Sequence, residues 1–235
     1  MRIAIVAALL ALAACRAETA PVKPELYVMT SLPLLFDEGF TAGPAKGEAA
    51  VFLSEHYALK PIDLPSQLPP GAILLAAQPR ALPAEELVAL DAWVRGGGKM
   101  LLLADPLLEW PSERPLGDQM RPPMAYPDTG LLAHWGLRLD APEPPTSATQ
   151  FSTKEIWVGR YYIRTESPGI FVVISPGACS TQANGLLASC RLGKGRAEIV
   201  ADADFLNLGD GETSPGRAPN AFWFGELLDR LVGTS

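Results

Sequence analysis

Runs of consecutive apolar residues, without strict alternation, dominate the hydrophobic pattern of this chain. They predict strands at 25–35, 72–76, 100–104 and 196–201, with a shorter one at 59–64. A strand that is apolar on both faces is typical of a parallel sheet covered by helices on both sides. The pattern therefore predicts an α/β fold with a mainly parallel sheet.

Segments with apolar residues at three- and four-residue spacing predict helices between these strands. The clearest spans 83–95, where Leu87, Leu90 and Val94 recur on one face before three glycines end the helix. Further helices are predicted at 47–57, at 130–135 and from Asn220, which we interpret as an N-cap, to the end of the chain.

Two proline-rich segments interrupt the alternation of strands and helices. The first, 106–127, has 22 residues and six prolines. Connections of this length without regular structure are uncommon and are often lids or binding loops. The second, 141–146, opens a segment at 141–190 that we interpret as a β-rich insertion. Its predicted parts are hairpin strands at 155–163 and 170–174 and a loop between Cys179 and Cys190.

Small or polar residues follow four of the predicted strands. They are Ser31, Gln78, Asp105, and Asp202 with Asp204. Open parallel sheets bind ligands beyond the carboxyl ends of their strands, so neighbouring strands would place these residues in one crevice under the 106–127 connection. The alternative is that such residues bond to turn backbone or cap the next helix.

The aspartates raise two chemical alternatives. Asp105 with Asp202 or Asp204 could supply the acid and base of a hydrolase or carbohydrate-active enzyme, if both carboxylates point into one cavity. Asp202-Ala203-Asp204 is also compatible with a cation, although such a site needs further oxygen ligands. No G-x-S-x-G motif is present, and Asp105 stands where an elbow nucleophile would follow its strand. We predict no catalytic residue, no cofactor and no metal.

Composition restricts the partners. The chain is 48% hydrophobic and 19% charged, as in a folded globular protein, and we predict one domain at 25–235. Its formal net charge is −7 and it has no Lys/Arg run. These features argue against nucleic acid or an anionic lipid surface as the partner.

The N-terminal segment predicts the location of the protein. Residues 3–12 are almost wholly apolar, about half of the roughly 20 needed to cross a bilayer, and Leu12-Ala13-Ala14-Cys15 follows. This pattern resembles a bacterial lipoprotein signal, which implies a signal peptide at 1–14, acylation of Cys15 and a tether at 15–24. The implied location is periplasmic and lipid-anchored, and Arg16 after the cysteine implies sorting to the outer membrane.

The two other cysteines fit that location. Two thiols in an oxidising compartment most simply form a disulfide, so we expect Cys179 and Cys190 to be paired. A metal site fits poorly, because ten residues lie between the cysteines and the chain has two histidines, both distant in sequence.

Several segments together resemble a known family. They are the runs at 26–34, 90–106 and 195–206, followed by Asn220 and an aromatic–aliphatic helix. These runs are similar to the auxiliary domain of uncharacterised ABC-type transport systems, including the gliding-motility-associated auxiliary protein. The similarity covers roughly 25–140 and 190–233 and leaves the disulfide region without a counterpart.

This resemblance implies a fold like that of class I glutamine amidotransferases, a flavodoxin-like three-layer sandwich, without the amidotransferase cysteine and histidine. It implies a non-catalytic accessory protein that binds a ligand or a partner, with permease or ATPase subunits as candidate partners. Related auxiliaries are often held by transmembrane helices, whereas this chain carries a lipoprotein-like signal. A purely structural envelope component is a further alternative, and it predicts no pocket beneath the 106–127 connection.

Overall fold

A computed structural model describes residues 22–35, 38, 48–143, 153–206 and 217–233. The predicted signal peptide, Cys15 and the tether up to residue 21 lie outside the described residues, as does 144–146 of the second proline-rich segment. No helix in the described part of the chain is both long and apolar enough to cross a bilayer.

The centre of the molecule is a seven-stranded sheet with the order β2-β1-β3-β4-β11-β10-β9. The first five strands of that order are mutually parallel, and β10 and β9 continue the sheet in antiparallel pairing. The α/β class with a mainly parallel sheet is therefore confirmed. The bounds are β1 Glu25–Thr30, β2 Ala58–Pro61, β3 Ile73–Ala77, β4 Lys99–Leu103, β9 Cys179–Gln182, β10 Leu187–Leu192 and β11 Gly195–Val200.

Helices cover both faces of the sheet. On one face, α1 (Glu48–His56) and α4 (Arg217–Val232) pack on alternate residues of the strands such as Leu75 and Leu101. On the other face, α2 (Ala84–Arg95) and the short α3 (Leu131–His134) pack on the intervening residues. All five residues of β3 are buried, which is why its sequence is apolar without alternation.

Two small sheets complete the fold and correct the expected hairpin. β6 (Thr153–Val158) and β7 (Tyr161–Glu166) form a hairpin of their own, so the single strand expected over 155–163 is wrong. The chain turns at Gly159, which has a φ of +60°. β8 (Ile170–Val173) pairs instead with β5 (Leu137–Asp140), which the sequence analysis did not predict.

The region between the cysteines also differs from expectation. It contains β9 and β10, which extend the central sheet, where a loop was expected. Cys179 and Cys190 lie directly opposite each other on these strands and form the predicted disulfide.

Asn220 is not an N-cap, because α4 begins three residues earlier at Arg217. Its buried amide instead links three segments: Nδ2 donates to the carbonyls of Arg164 (2.7 Å) and Phe205 (2.9 Å), and Oδ1 accepts from the Arg164 amide (2.9 Å). The side chain that the sequence pattern assigned to a helix end therefore joins α4 to β7 and to the turn after β11.

Candidate functional site

The four strands with polar tips are neighbours in the sheet, in the order β1-β3-β4-β11, so their carboxyl ends meet at one edge. Hydrogen bonds connect these tips in sequence. Ser31 Oγ donates to the carbonyl of Gln78 at 2.5 Å, which joins the end of β1 to the end of β3. The polar residues predicted from the sequence therefore converge at this edge of the sheet.

Gln78 joins β3 to β4 and to the 106–127 connection. Its backbone has a φ of +43°, a left-handed conformation that costs free energy for a residue with a side chain. In this conformation Gln78 Oε1 accepts from the Asp105 amide (2.9 Å), and Nε2 donates to the carbonyls of Asp105 and Pro123 (both 3.1 Å). The strained turn is thus held by three hydrogen bonds of a fully buried amide.

Asp105 joins β4 to β11. Its Oδ1 accepts from the Leu107 amide (2.8 Å) and its Oδ2 accepts from the Ala203 amide (2.9 Å). The first bond closes a turn at the start of the 106–127 connection, as aspartates commonly do, and the second crosses to the next strand end. Both carboxylate oxygens are therefore occupied by backbone N–H groups.

Asp202 and Asp204 serve the turn after β11. Asp202 Oδ1 accepts from the Phe205 amide (2.9 Å) and Oδ2 from the Thr165 hydroxyl (2.5 Å), which anchors β7. Asp204 Oδ2 accepts from the Glu109 amide at 2.8 Å, a second attachment of the 106–127 connection. Asp204 Oδ1 is buried and has no hydrogen-bond partner among the described residues.

These three aspartates form a buried cluster with perturbed acidity. Burial raises the pKa of Asp105 to about 6, although the backbone N–H bonds oppose the shift. Burial, followed by the neighbouring charge of Asp105, raises the pKa of Asp204 to about 8 and that of Asp202 well above its usual value. Carboxylates that share a dry site resist simultaneous ionisation, so the cluster retains protons at neutral pH.

Burial limits what the cluster can do chemically. Asp105, Asp202 and Asp204 are 0%, 1% and 6% exposed, and Gln78 is fully buried, whereas Ser31 is partly exposed. A general acid or base must reach a proton on the substrate, and these carboxylates reach turn backbone instead. Within the described residues, no group of three or more His, Cys, Asp or Glu is arranged to hold a metal ion.

A groove of about 380 Å³ lies beside this network, over the ends of β1 and β2. Ser31 is the predicted residue that lines it, and Arg114 and Met120 of the 106–127 connection close one side. Arg80, Glu38 and Asp63 add charged groups that the sequence analysis did not identify. Ser31 and the length of the proline-rich connection were the sequence features that indicated this part of the molecule.

Hydrogen bonds fix the charged wall of the groove. Arg114 Nη2 donates to the Glu38 carbonyl (2.5 Å), and Arg114 Nη1 lies 3.6 Å from the Asp118 carboxylate. Glu38 Oε2 accepts from the Glu113 amide (3.0 Å), while its Oε1 has no hydrogen-bond partner among the described residues. The groove therefore offers a pre-organised acceptor, a hydroxyl and cationic groups within one concave surface.

Comparisons with solved structures describe the fold. The N-terminal domain of mmIFT52 is similar over 91% of this chain and 98% of that one, at 12% identity and a TM-score of 0.55. A catalytic mutant of Gan42B, a GH42 beta-galactosidase from G. stearothermophilus, is similar over 91% of this chain and 30% of that one, at 13% identity and a TM-score of 0.50. An exo-beta-1,4-mannosidase from Opitutaceae bacterium strain TAV5 gives 13% identity, 88% and 36% coverage and a TM-score of 0.48.

This chain thus spans about a third of the length of the glycosidases. At these identities the likeness shows the fold alone. No curated protein sequence matches the chain.

A family model gives the most specific finding. The model of auxiliary proteins described as "ABC-type uncharacterized transport system" matches residues 23–143, slightly more than half of the chain. That range includes β1 to β5, three of the four polar strand tips and the whole 106–127 connection. The chain therefore belongs to the ABC-type uncharacterized transport system family of auxiliary proteins.

Proposed function

We propose that this protein is a non-catalytic accessory component of an ABC-type transport system, held by a lipid on Cys15 at the periplasmic side of the outer membrane. Its groove over β1 and β2 binds a ligand or a segment of a partner protein. The observation that carries this proposal is the family match over 23–143, because the matched residues build the groove and the connection that closes it.

The structure supports a binding role over catalysis at this edge. The carboxylates that a hydrolase would need are occupied by the backbone N–H groups of residues 107, 109, 203 and 205. Asp105, which lies two residues after the end of β4 where an elbow nucleophile would stand, closes a turn. The burial of Asp105, Asp202 and Asp204 argues against the hydrolase alternative, which required two aspartates that point into one cavity.

The groove also argues against a purely structural role. That alternative predicted no pocket beneath the 106–127 connection. Arg114 and Met120 of this connection line the groove, together with Ser31 and Arg80. A concave surface that includes charged and hydroxyl groups is typical of a recognition site.

The proposed location is supported by the disulfide. Disulfides persist in oxidising compartments such as the periplasm, and Cys179–Cys190 joins two neighbouring strands of the central sheet. Labelling cells with radioactive palmitate tests the anchor: wild type should incorporate label and fractionate with the outer membrane, and Cys15→Ala should do neither. Equal labelling of the two proteins would exclude lipidation at Cys15.

Site-specific photo-crosslinking in the native cell envelope tests the binding role. A photo-reactive residue replaces Met120 in the groove or, as the matched control, Ile174 after β8, since both side chains are 49% exposed. We expect position 120 to capture a permease subunit, whose periplasmic segments are within reach, and position 174 to capture none. Identical product patterns at the two positions, or glycan products alone at position 120, would contradict the proposal.

A further inference from the structure

We propose that a second site, distinct from the groove, binds a phosphate-bearing ligand at the other end of the sheet. A cavity of about 720 Å³ opens there, at the starts of β4 and β11 and across the antiparallel strands β9 and β10. We call it the basic cavity. Its charged lining residues are Lys99, Arg191, Lys194, Arg196, Glu198 and Arg230.

The register of the sheet aligns three of these cations. Arg196 of β11 lies directly opposite Arg191 of β10, and on its other side it lies directly opposite Lys99 of β4. Directly paired residues project from the same face of a sheet, and neighbouring strands are about 4.8 Å apart. One face therefore carries a row of three positive side chains across three adjacent strands.

Like charges placed directly opposite each other destabilise a sheet. Carboxylates usually relieve such repulsion, but Lys99, Arg191 and Lys194 form no ion pair with another described residue. Arg196 Nη2 donates to the carbonyl of Leu231 at 2.7 Å, an uncharged acceptor. Glu198, which interacts electrostatically with Arg196 and Arg230, supplies one negative charge, and an anion bound over the row would supply the rest.

The other polar groups of the basic cavity fit this interpretation. Glu198, one pair of residues further along β11, is 9% exposed and accepts from the Ser189 hydroxyl at 2.6 Å. Burial raises its pKa, and the nearby Arg230 and Arg196 oppose that shift. Ser180 lies directly opposite Ser189 and adds a second hydroxyl beyond the row of cations.

The chemistry of the row favours phosphate over a single carboxylate. Guanidinium groups donate in a planar fork that matches phosphoryl oxygens, and a row of several cations suits a ligand with at least two negative charges. The volume lies in the range of small-molecule sites, about 300–1,000 Å³. The chain as a whole has a formal net charge of −7, so the positive charge of the basic cavity is a local feature of the surface.

A disulfide and a close approach between backbone segments hold the walls of the basic cavity in place. The Cys179–Cys190 disulfide pins β9 to β10 within the lining. At the start of β11, Gly195 approaches the carbonyls of Val94 and Gly98 so closely that a Cβ atom there would collide with backbone. The cationic row is therefore set on rigid backbone, which favours a pre-organised site.

Calorimetric titration of the full-length protein with inorganic pyrophosphate tests the site. At low ionic strength we expect saturable binding that Arg191→Gln and Lys194→Gln each weaken about tenfold and that salt weakens further. Lys60→Gln on β2, at the opposite edge of the sheet, removes the same charge and should leave the affinity unchanged. No saturable binding, or equal weakening by all three variants, would overturn the proposal.

A second measurement distinguishes the two sources of a phosphoryl group. Binding to vesicles of phosphatidylglycerol is compared with binding to vesicles of phosphatidylcholine for wild type and Arg191→Gln, so that any lipid anchor contributes equally to both. A preference for phosphatidylglycerol that Arg191→Gln removes assigns a lipid headgroup. No preference, together with pyrophosphate binding, assigns a soluble phosphate ester. These results are independent of crosslinking at Met120, so either proposal can fail alone.

Discussion

The two ends of the central sheet differ in the partners that the fold provides for charged side chains. At the carboxyl edge, Asp105, Asp202 and Asp204 are buried, and four backbone amides and one hydroxyl occupy five of their six oxygens. In the basic cavity, Lys99, Arg191 and Lys194 lie at the surface without a carboxylate partner among the described residues. Both regions group acidic or basic side chains of one kind, but the described part of the fold supplies hydrogen-bond partners for all except one of the carboxylate oxygens and no ion pair for these three cations.

This contrast shows how to separate structural from functional polar residues. A buried carboxylate that accepts hydrogen bonds from backbone N–H groups stabilises a turn, and this role does not depend on a ligand. A row of surface cations that the fold compensates only in part can bind an external anion, which lowers their mutual repulsion. The following substitutions test whether the carboxyl edge depends on its charges for stability and the basic cavity does not.

Asp105→Ala should have the largest effect, because it leaves the buried amides of residues 107 and 203 without acceptors. At roughly 1–3 kcal/mol for each orphaned group, the free energy of unfolding should fall by about 2–5 kcal/mol. Urea denaturation followed by circular dichroism measures it. Asp118→Ala is the control: Asp118 also accepts an amide bond, from Met120, but it is partly exposed and water replaces it. Similar losses for the two variants would contradict the contrast.

Replacing both cysteines, Cys179→Ser with Cys190→Ser, should lower the free energy of unfolding by about 3 kcal/mol. The disulfide closes a short loop, with a sequence separation of 11, and its removal enlarges the conformational entropy of the unfolded chain. Urea denaturation with and without a reducing agent measures the loss. Wild type in reducing agent should match the double variant, and a double variant as stable as oxidised wild type would rule out a stabilising role.

Asp204→Asn should stabilise the protein, and the gain should depend on pH. The pKa of Asp204 in the folded protein is about 8, above its ordinary value of 3.8, so between these values the folded state holds a proton that the unfolded state releases. The free energy of unfolding therefore falls as pH rises through this window. The amide keeps an acceptor for the Glu109 N–H and removes the titration. We expect no gain below pH 4 and a gain that grows as pH rises from 4 to 8.

Thermal denaturation over this pH range measures the gain from Asp204→Asn. Asp140→Asn is the control, because the pKa of the exposed Asp140 is lowered by its hydrogen bond to Arg138. A constant difference between Asp204→Asn and wild type at all pH values would show that the cluster does not titrate as proposed.

The sequence predicted those features that depend on local pattern. Apolar runs located β3 and β4 to within one residue, because strands buried on both faces leave no polar positions. The convergence of Ser31, Gln78 and Asp105 followed from the rule that parallel strands end at one edge. The disulfide followed from two cysteines and the expected compartment.

Features that depend on tertiary packing were not predictable in this way. The burial of Asp202 and Asp204 depends on β7 and on the 106–127 connection, which reach the edge from distant parts of the chain. The pairing of β8 with β5 likewise joins segments about 30 residues apart. The row of cations can be recognised only from the register of three strands, and the sequence pattern predicts a loop where one of them, β10, lies.

Glu198→Gln should have the smallest effect on stability and so provides the sharpest test of the contrast. Burial raises the pKa of Glu198 above its ordinary value of 4.5, so the variant with the neutral amide should gain a little stability as pH rises through that region. The amide oxygen can still accept from the Ser189 hydroxyl. Among the described residues, Glu198 is the one acidic group that lines the basic cavity, and its removal should strengthen pyrophosphate binding severalfold at pH 8. Isothermal titration at pH 8 and pH 4 measures this gain, which should shrink at the lower pH because Glu198 is then protonated. An unchanged affinity at pH 8 with a large change in stability would mean that Glu198, like Asp105, serves the fold.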